Sequence, residues 1–283
     1  MTRVAIVCDS TCDLSRSWLV ENDVEMVPLK VSFGDETFLD WVEMEPAEFY
    51  TKLAATDKFP KTSQPSPADF TAAYSKVIEA GAEAIVSVHL SAALSGTYES
   101  AIMASKTSSV PVHVVNTNLV SQATGLVVKA AVEARDSGMD AADIADKLEK
   151  MSADTTLYFI LDTLEYLVKG GRAGKASGLA ASVLNIKPIL TFNNEGIIEP
   201  FKKVKGLRKA MAALAEHVAA VSKEHTIKIV ILYSTVPELA DEMRATLDAA
   251  GAVYELDSYG IVGSVIGTYA GPGVVGVAFH EID

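Results

Sequence analysis

Two rhythms of hydrophobic and polar positions alternate along the first half of the chain. Short apolar runs rich in β-branched residues, at Arg3–Cys8, Ala84–Leu90 and Val112–Val115, read as buried strands. Amphipathic stretches separate them: one from about Asp13, then Pro46–Ala55, Pro67–Ala80 and Ser95–Ser105. Pro46 and Pro67 stand in the first turn of their helices, where the missing N–H leaves no bond unmade. Ser66 before Pro67 is a preferred N-cap. Val24–Phe33 reads as one extended segment interrupted by Pro28, and two helices follow over Ser121–Ser137 and Ala141–Met151. Strands and helices alternating at this spacing predict βαβ units and a parallel sheet.

The rhythm changes near Thr155. Thr156–Leu161 reads as a strand and Ala176–Leu184 as helical. Pro188–Phe192 and Gly196–Lys203 read as two strands joined at Asn193-Asn194-Glu195-Gly196, a hairpin signal. A helix over Leu207–Ser222, a strand over Ile227–Tyr233, a helix over Pro237–Ala249 and a strand over Val274–Phe279 complete the chain. The expected fold class is α/β with two domains. Residues 1–160 form a parallel sheet flanked by helices, and residues 161–283 a mixed α/β unit.

Composition narrows the function. The chain has 283 residues, 49% hydrophobic and 22% charged, enough to bury a core without disulfides or metals. Its formal charge of −13 argues against the broad basic footprint of a nucleic-acid binder. Cys8 and Cys12, four residues apart, build no disulfide framework and suit a reducing compartment. The first apolar segment is too short for a signal-peptide core, and no run approaches a membrane span. The expectation is a soluble cytoplasmic protein.

Several motifs fail on inspection. Gly271-Pro-Gly273-Val-Val-Gly276 matches the dinucleotide fingerprint in letters, but a Val-rich strand follows it where a helix is required. Lys169-Gly-Gly-Arg-Ala-Gly-Lys175 lacks the first glycine of a phosphate loop, and Ala176 replaces its Ser/Thr. The five histidines, at 89, 113, 217, 225 and 280, form no metal-ligand spacing, so no metal and no cofactor are expected. His89, inside a strand-like run, reads as a core histidine with its hydrogen bonds satisfied.

Three hydroxyl-rich elements remain. Lys61-Thr62-Ser63-Gln64-Pro65-Ser66-Pro67 is stiffened by two prolines. Ser91-Ala-Ala-Leu94-Ser95-Gly96-Thr97-Tyr98 follows the carboxyl end of a strand and opens a helix, the place where open α/β sheets bind ligands. There Ser95, Thr97 and the Gly96 amide suit a carboxylate or phosphate, although Ser95 serves equally as an ordinary N-cap. Gly263–Gly273 is dense in glycine, which suggests a close approach of backbone to a ligand or a set of tight turns.

The order of six blocks resembles the DegV family: DSTCDL at 9–14, PKTSQPSPADF at 60–70, LSGTYESA at 94–101, DTLEYLVKGGRAGKA at 162–176, LNIKPIL at 184–190 and VIGTYAGPGVVGVAF at 265–279. The resemblance spans about residues 3–281. It implies a two-domain α/β fold, a long-chain fatty acid between the domains, and a non-catalytic carrier. Such a carrier presents the acid to a separate ATP-dependent fatty acid kinase subunit, which forms an acyl phosphate. Carried over by position, Thr62 and Ser95 hold the carboxylate and Ser63, Gly96 and Thr97 flank them. Arg172 and Lys205 face the partner, each within a run of basic residues (169–175 and 202–209). The chain departs from the family pattern at Tyr269, where a histidine is usual, at Asn116-Thr117, where Asp-Ser is usual, and at Leu207, where an arginine is usual. Two other readings stay open: an acyl- or phosphoryl-transfer enzyme with Ser95 as nucleophile, which needs a neighbouring base, and an interaction protein whose pocket is incidental.

Overall fold

The structure, a computed structural model, describes residues 2–179 and 186–282. The N-terminal half follows the order β1 (Val4–Asp9), α1 (Arg16–Glu21), β2 (Val24–Val27), β3 (Lys30–Phe33), β4 (Glu36–Leu39), α2 (Pro46–Ala54), β5 (Lys61–Ser63), α3 (Pro67–Glu79), β6 (Ala84–His89), α4 (Thr97–Ser105), β7 (Val112–Asn116), α5 (Ser121–Asp136) and α6 (Ala141–Asp154). The rest follows as β8 (Thr156–Ile160), α7 (Glu165–Lys169), β9 (Ile186–Phe192), β10 (Ile198–Lys205), α8 (Leu207–Val221), β11 (Ile227–Tyr233), α9 (Glu238–Ala249), β12 (Tyr254–Ile261), α10 (Ser264–Ala270) and β13 (Val275–Glu281).

β1 and β6 pair in parallel at the centre of a sheet ordered β2-β1-β6-β7, all of whose pairings are parallel. Strands covered on both faces have no solvent side to show, which is why VAIVC and AIVSV read as apolar runs, the second broken only by the buried Ser87. One face packs on Phe70, Tyr74 and Ala101 of α3 and α4. The other packs on α5 and α6. The expected start of α3 is realised in full: Ser66 and Asp69 form a capping box with Pro67 in the first turn.

The second sheet is ordered β10-β9-β8-β13-β11-β12 and is mixed, with β11 and β12 parallel and the other pairs antiparallel. The expected hairpin at Asn193–Gly196 joins β9 to β10. β8 already belongs to this sheet, so sheet membership changes between α6 and Thr156. α5 lies between the two sheets, touching β1 and β6 on one side and β11 and β13 on the other. That position explains why twelve of its sixteen residues are buried and why it lacks a clear polar face. One apolar cluster therefore runs from Ile6 through α5 to Leu232 and Ala278.

Two expectations need correction. Val24–Phe33 is not one extended segment. Pro28 donates no hydrogen bond, and the chain leaves the parallel sheet there. β3 then heads a separate antiparallel sheet ordered β4-β3-β5, backed by Phe49 and Tyr50 of α2. The stretch 174–179 is a 3-10 turn rather than the start of an α-helix, and the remainder of the Ala176–Leu184 expectation lies outside the described residues.

Candidate functional site

A cavity of about 340 Å³ lies between the two halves, within the usual range for small-molecule sites. Leu29, Leu90, Leu94 and Val120 line it from the N-terminal half. Leu157, Phe159, Phe192, Leu232, Val262 and Val274 line it from the C-terminal half. Its polar atoms come from Thr62, Ser63, Gln64, Ser95, Ser121, Arg172 and Tyr269. Arg172 is exposed and marks the mouth.

The polar residues at the mouth are tied to each other. Thr62 sits in β5, opposite Val31 of β3. Its Oγ1 is 2.5 Å from the Tyr269 hydroxyl at the far end of α10, a bond between the two halves in which either group can donate. The Arg172 guanidinium lies over the Tyr269 ring, 5.0 Å from its centroid. Arg172 also donates to the carbonyls of Gly170 at 2.9 Å and Leu94 at 3.4 Å, the latter next to Ser95. Gly170 is required here because a Cβ would stand 2.3 Å from Cδ1 of Tyr269. Farther along the same seam, the Ser91 hydroxyl donates to the Gly196 carbonyl at 2.9 Å, and Asn118 Nδ2 to the Asn194 carbonyl at 3.1 Å. The hairpin tip of the second sheet thus grips the loops that follow β6 and β7.

Ser95 lines the cavity, but it is not the N-cap of α4. The helix starts at Thr97 with Gly96 as its N-cap and no side-chain cap bond. The Ser95 hydroxyl instead pairs with that of Thr97 at 2.8 Å. Gly96 and the buried Thr97 stand behind Ser95 rather than in the cavity wall. Gln64, which the residue pattern did not single out, fixes this turn: its Nε2 donates to the Gly96 carbonyl at 3.1 Å and to Ser100 Oγ at 3.2 Å. Its place in the same block as Thr62 and Ser63 was the available signal. Lys205 is exposed on β10 and does not line the cavity. The two other cations of the first basic run are neutralised, Lys169 by Glu165 at 2.5 Å and Lys175 by Glu199 at 2.9 Å.

The glycines of 263–273 meet side chains of the protein itself. A Cβ at Gly267 would stand 2.6 Å from the Tyr50 hydroxyl, and one at Gly271 would stand 2.5 Å from Cδ2 of Tyr166. Gly271 and Gly273 also have φ of +73° and +74°, which favour glycine. Between Gly263 and Gly271 the chain forms α10, an element the sequence reading missed.

His89 is the satisfied core histidine expected, in an arrangement that imitates a catalytic triad. Its Nδ1 is 3.0 Å from Asp9 Oδ2 and its Nε2 is 2.7 Å from Ser87 Oγ. All three residues are fully buried, and Tyr74 donates to Ser87 at 3.0 Å. The bonds join strands β1 and β6 below the site, with no exposed surface for a substrate.

Together these features form a chamber with apolar walls from two sheets and α10, and with hydroxyls, a phenol and a guanidinium gathered at one end. A model described as "Uncharacterised protein, DegV family" matches residues 3–281, and the chain belongs to this family. A DegV domain-containing protein of Streptomyces coelicolor is 36% identical over 278 residues, covering 97% of each chain. Among solved structures, a fatty-acid-binding DegV family protein from Thermus thermophilus superposes with a TM-score of 0.93 at 33% identity, covering 99% of this chain and 100% of the other. A stearic acid-binding protein from Eubacterium ventriosum superposes with a TM-score of 0.88 at 26% identity, covering 99% of this chain and 98% of the other. Among the described residues no helix is long and apolar enough to cross a membrane.

Proposed function

We propose that the chain binds a long-chain fatty acid in this cavity, with the carboxylate at the mouth between Thr62 and Ser95. The observation that carries this reading is the division of the cavity into apolar walls and a group of hydroxyls, Thr62, Ser95 and Tyr269, gathered beside Arg172. The tail supplies the affinity: at about 0.8 kcal/mol per buried CH₂, fourteen methylenes are worth on the order of 11 kcal/mol before the costs of binding. The head group supplies the register. Thr62 and Ser95 each have a hydroxyl able to turn toward a carboxylate, and Tyr269 takes the place of the usual histidine as a neutral donor. Ser63 flanks them in the wall, while Gly96 and Thr97 hold Ser95 from behind.

The same reading makes the protein a cytoplasmic carrier that presents its ligand to an ATP-dependent kinase subunit. Two observations support this. Arg172 stands at the mouth with its cation exposed, and Lys202, Lys203, Lys205 and Lys209 form an exposed basic run on an otherwise acidic chain. The buried thiols of Cys8 and Cys12, hydrogen-bonded at 3.8 Å with no disulfide between them, fit a reducing compartment. Native mass spectrometry of the purified protein tests the ligand. A co-purifying species of about 250–290 Da, the range of acids whose tails are long enough to be retained, is expected. Protein that is empty, and stays empty after incubation with such acids, overturns the reading.

A further inference from the structure

Behind the cavity wall lies a second polar cluster, to which the proposed binding assigns no role. Asp13 and Asp40 are both buried, and among the described residues no cationic group faces either carboxyl. Asp13 accepts from the Ser121 hydroxyl at 2.5 Å and from Trp41 Nε1 at 3.2 Å, and its Oδ1 lies against Gly263, where a Cβ would stand 2.3 Å away. Asp40 accepts from the Ser10 hydroxyl at 2.7 Å. Its other oxygen, Oδ1, has no hydrogen-bond partner among the described residues, and the Ser264 and Val265 amides lie near the carboxyl. The two carboxyls therefore grip the first turn of α10 from the N-terminal half.

The backbone marks the same place. Among the described residues five other than glycine have positive φ, and three of them, Asp13 (+56°), Trp41 (+62°) and Ser121 (+54°), meet at the Asp13 carboxyl. Left-handed backbone at such residues is held only where the surroundings over-determine it, which is a recurrent feature of clamps and switches.

What the clamp holds is the cavity wall. Val265, Ile266, Tyr269 and Ala270 of α10 all line the cavity, and so does Ser121. The opposite side of α10 has no room to retreat, because Gly267 is pressed against Tyr50 and Phe49.

We propose that Asp13 and Asp40 act as one proton-linked positioning pair. With at least one of them protonated they seat α10 as the cavity wall, and ionisation of both loosens α10 and releases the ligand. This rests on the fatty-acid reading of the cavity. Burial pushes Asp13 up to about 8, with the Asp40 charge adding to the rise, and pushes Asp40 up to about 7. Among the described residues Tyr50 from α2 is the other titratable group that faces the pair, and burial keeps its phenol neutral well above its ordinary range. Both carboxyls thus bind protons more tightly in the folded chain than in the unfolded one. Their contribution to stability is complete below the ordinary carboxylate range near pH 4 and is lost as pH rises through 7–8.

The test measures affinity for a labelled C16 acid at pH 6, 7.5 and 9, with circular dichroism at each pH to show that the fold persists. Wild type is expected to bind about tenfold or more weakly at pH 9 than at pH 6, the effect of one pK unit of linkage. The double variant Asp13→Asn, Asp40→Asn is expected to stay within twofold across the range. Trp41→Phe, which removes one donor to the Asp13 carboxylate without touching the cavity wall, is expected to move the midpoint to higher pH. Wild-type binding that is flat from pH 6 to 9, or a double variant that keeps the wild-type slope, overturns the proposal. If the double variant does not fold, an unmoved midpoint in Trp41→Phe overturns it alone. If wild type binds no acid even at pH 6, the ligand reading fails instead. The pair is then judged by Tm, which must fall from pH 6 to 9 in wild type and less steeply in Asp13→Asn.

Discussion

The depth of the cavity and its mouth are built by different physics. The depth is a place where packing stops short. Leu90, Leu157, Leu232 and Val274 are each no more than 3% exposed and belong to the core that joins the two sheets, yet they leave about 340 Å³ between them. Nothing in the depth is specific to one ligand beyond being apolar. The mouth is the reverse: few atoms, each aimed by a named bond, from four separate stretches of chain at Thr62, Ser95, Arg172 and Tyr269. Under the proposed reading the contrast makes affinity and orientation separable. A change in the depth is then expected to remove binding without disturbing the mouth. A change at the mouth is expected to misplace the head group while most of the tail's contribution remains.

The largest expected effect comes from filling the depth. Leu232→Trp drives an indole into the cavity from near the C-terminal end of β11. Displacing about four methylenes of tail costs ~3 kcal/mol, or more than about 100-fold in affinity. Isothermal titration with a C16 acid reads the loss, and Tm is expected to hold because the new side chain occupies existing space. Retained affinity would place the tail elsewhere. Next in size are the anchors. Ser95→Ala and Thr62→Ala each remove one hydrogen bond to a charged group, worth about 1.5–3 kcal/mol, so affinity should fall about 10- to 150-fold. Unchanged affinity in both variants removes the head group from this end. Tyr269→Phe deletes a neutral donor and should cost about 0.5–1.5 kcal/mol. Tyr269→His should gain more affinity than wild type between pH 7.5 and pH 6, because an imidazole gains charge in that interval. A histidine variant without that trend means that residue 269 only packs.

Arg172→Glu should change retention least, by a few-fold, since a solvent-exposed charge at a rim contributes about 0.2–1 kcal/mol. Acyl phosphate formation with a kinase subunit should fall much further, and the deficit should shrink at high salt as the wild-type association weakens. Lipid content and turnover measured on one preparation decide it. Equal loss of both assigns Arg172 to the cavity and removes the docking role.

Much of this was legible in the residue pattern, and the exceptions share a cause. The buried parallel strands, the N-cap at Ser66 and the hairpin at Asn193–Gly196 depend on local rules, and each stands where the pattern put it. The small sheet was missed although Gly34-Asp35 is a turn signal between β3 and β4, because four-residue strands are too short for alternation to stand out. α10 was missed because Gly, Ser, Thr, Val and Ile are weak helix formers. Its helical state is imposed by Gly263, by the carboxyls at its first turn and by the fit of Gly267 against Tyr50. β12 went unread because Tyr254–Ile261 is an edge strand whose polar residues carry no apolar run.

The sequence by itself determined the α/β class, the parallel first sheet, the family and the small set of hydroxyl-bearing segments from which the mouth is drawn. Each of these is written in residues close together in the chain, through periodicity, capping or a contiguous block. The tertiary structure alone decided that Thr62 meets Tyr269 across 207 positions, that Gln64 braces the Ser95 turn, and that Ser121, Trp41 and Gly263 converge on Asp13. It also decided that the glycines of the last block serve tyrosine rings, and that Ser87, His89 and Asp9 are sealed from any substrate. The physical reason is common to all of them. A cavity is a gap left between elements far apart in the chain, and the partners a polar group finds there are fixed by how two sheets pack around one buried helix.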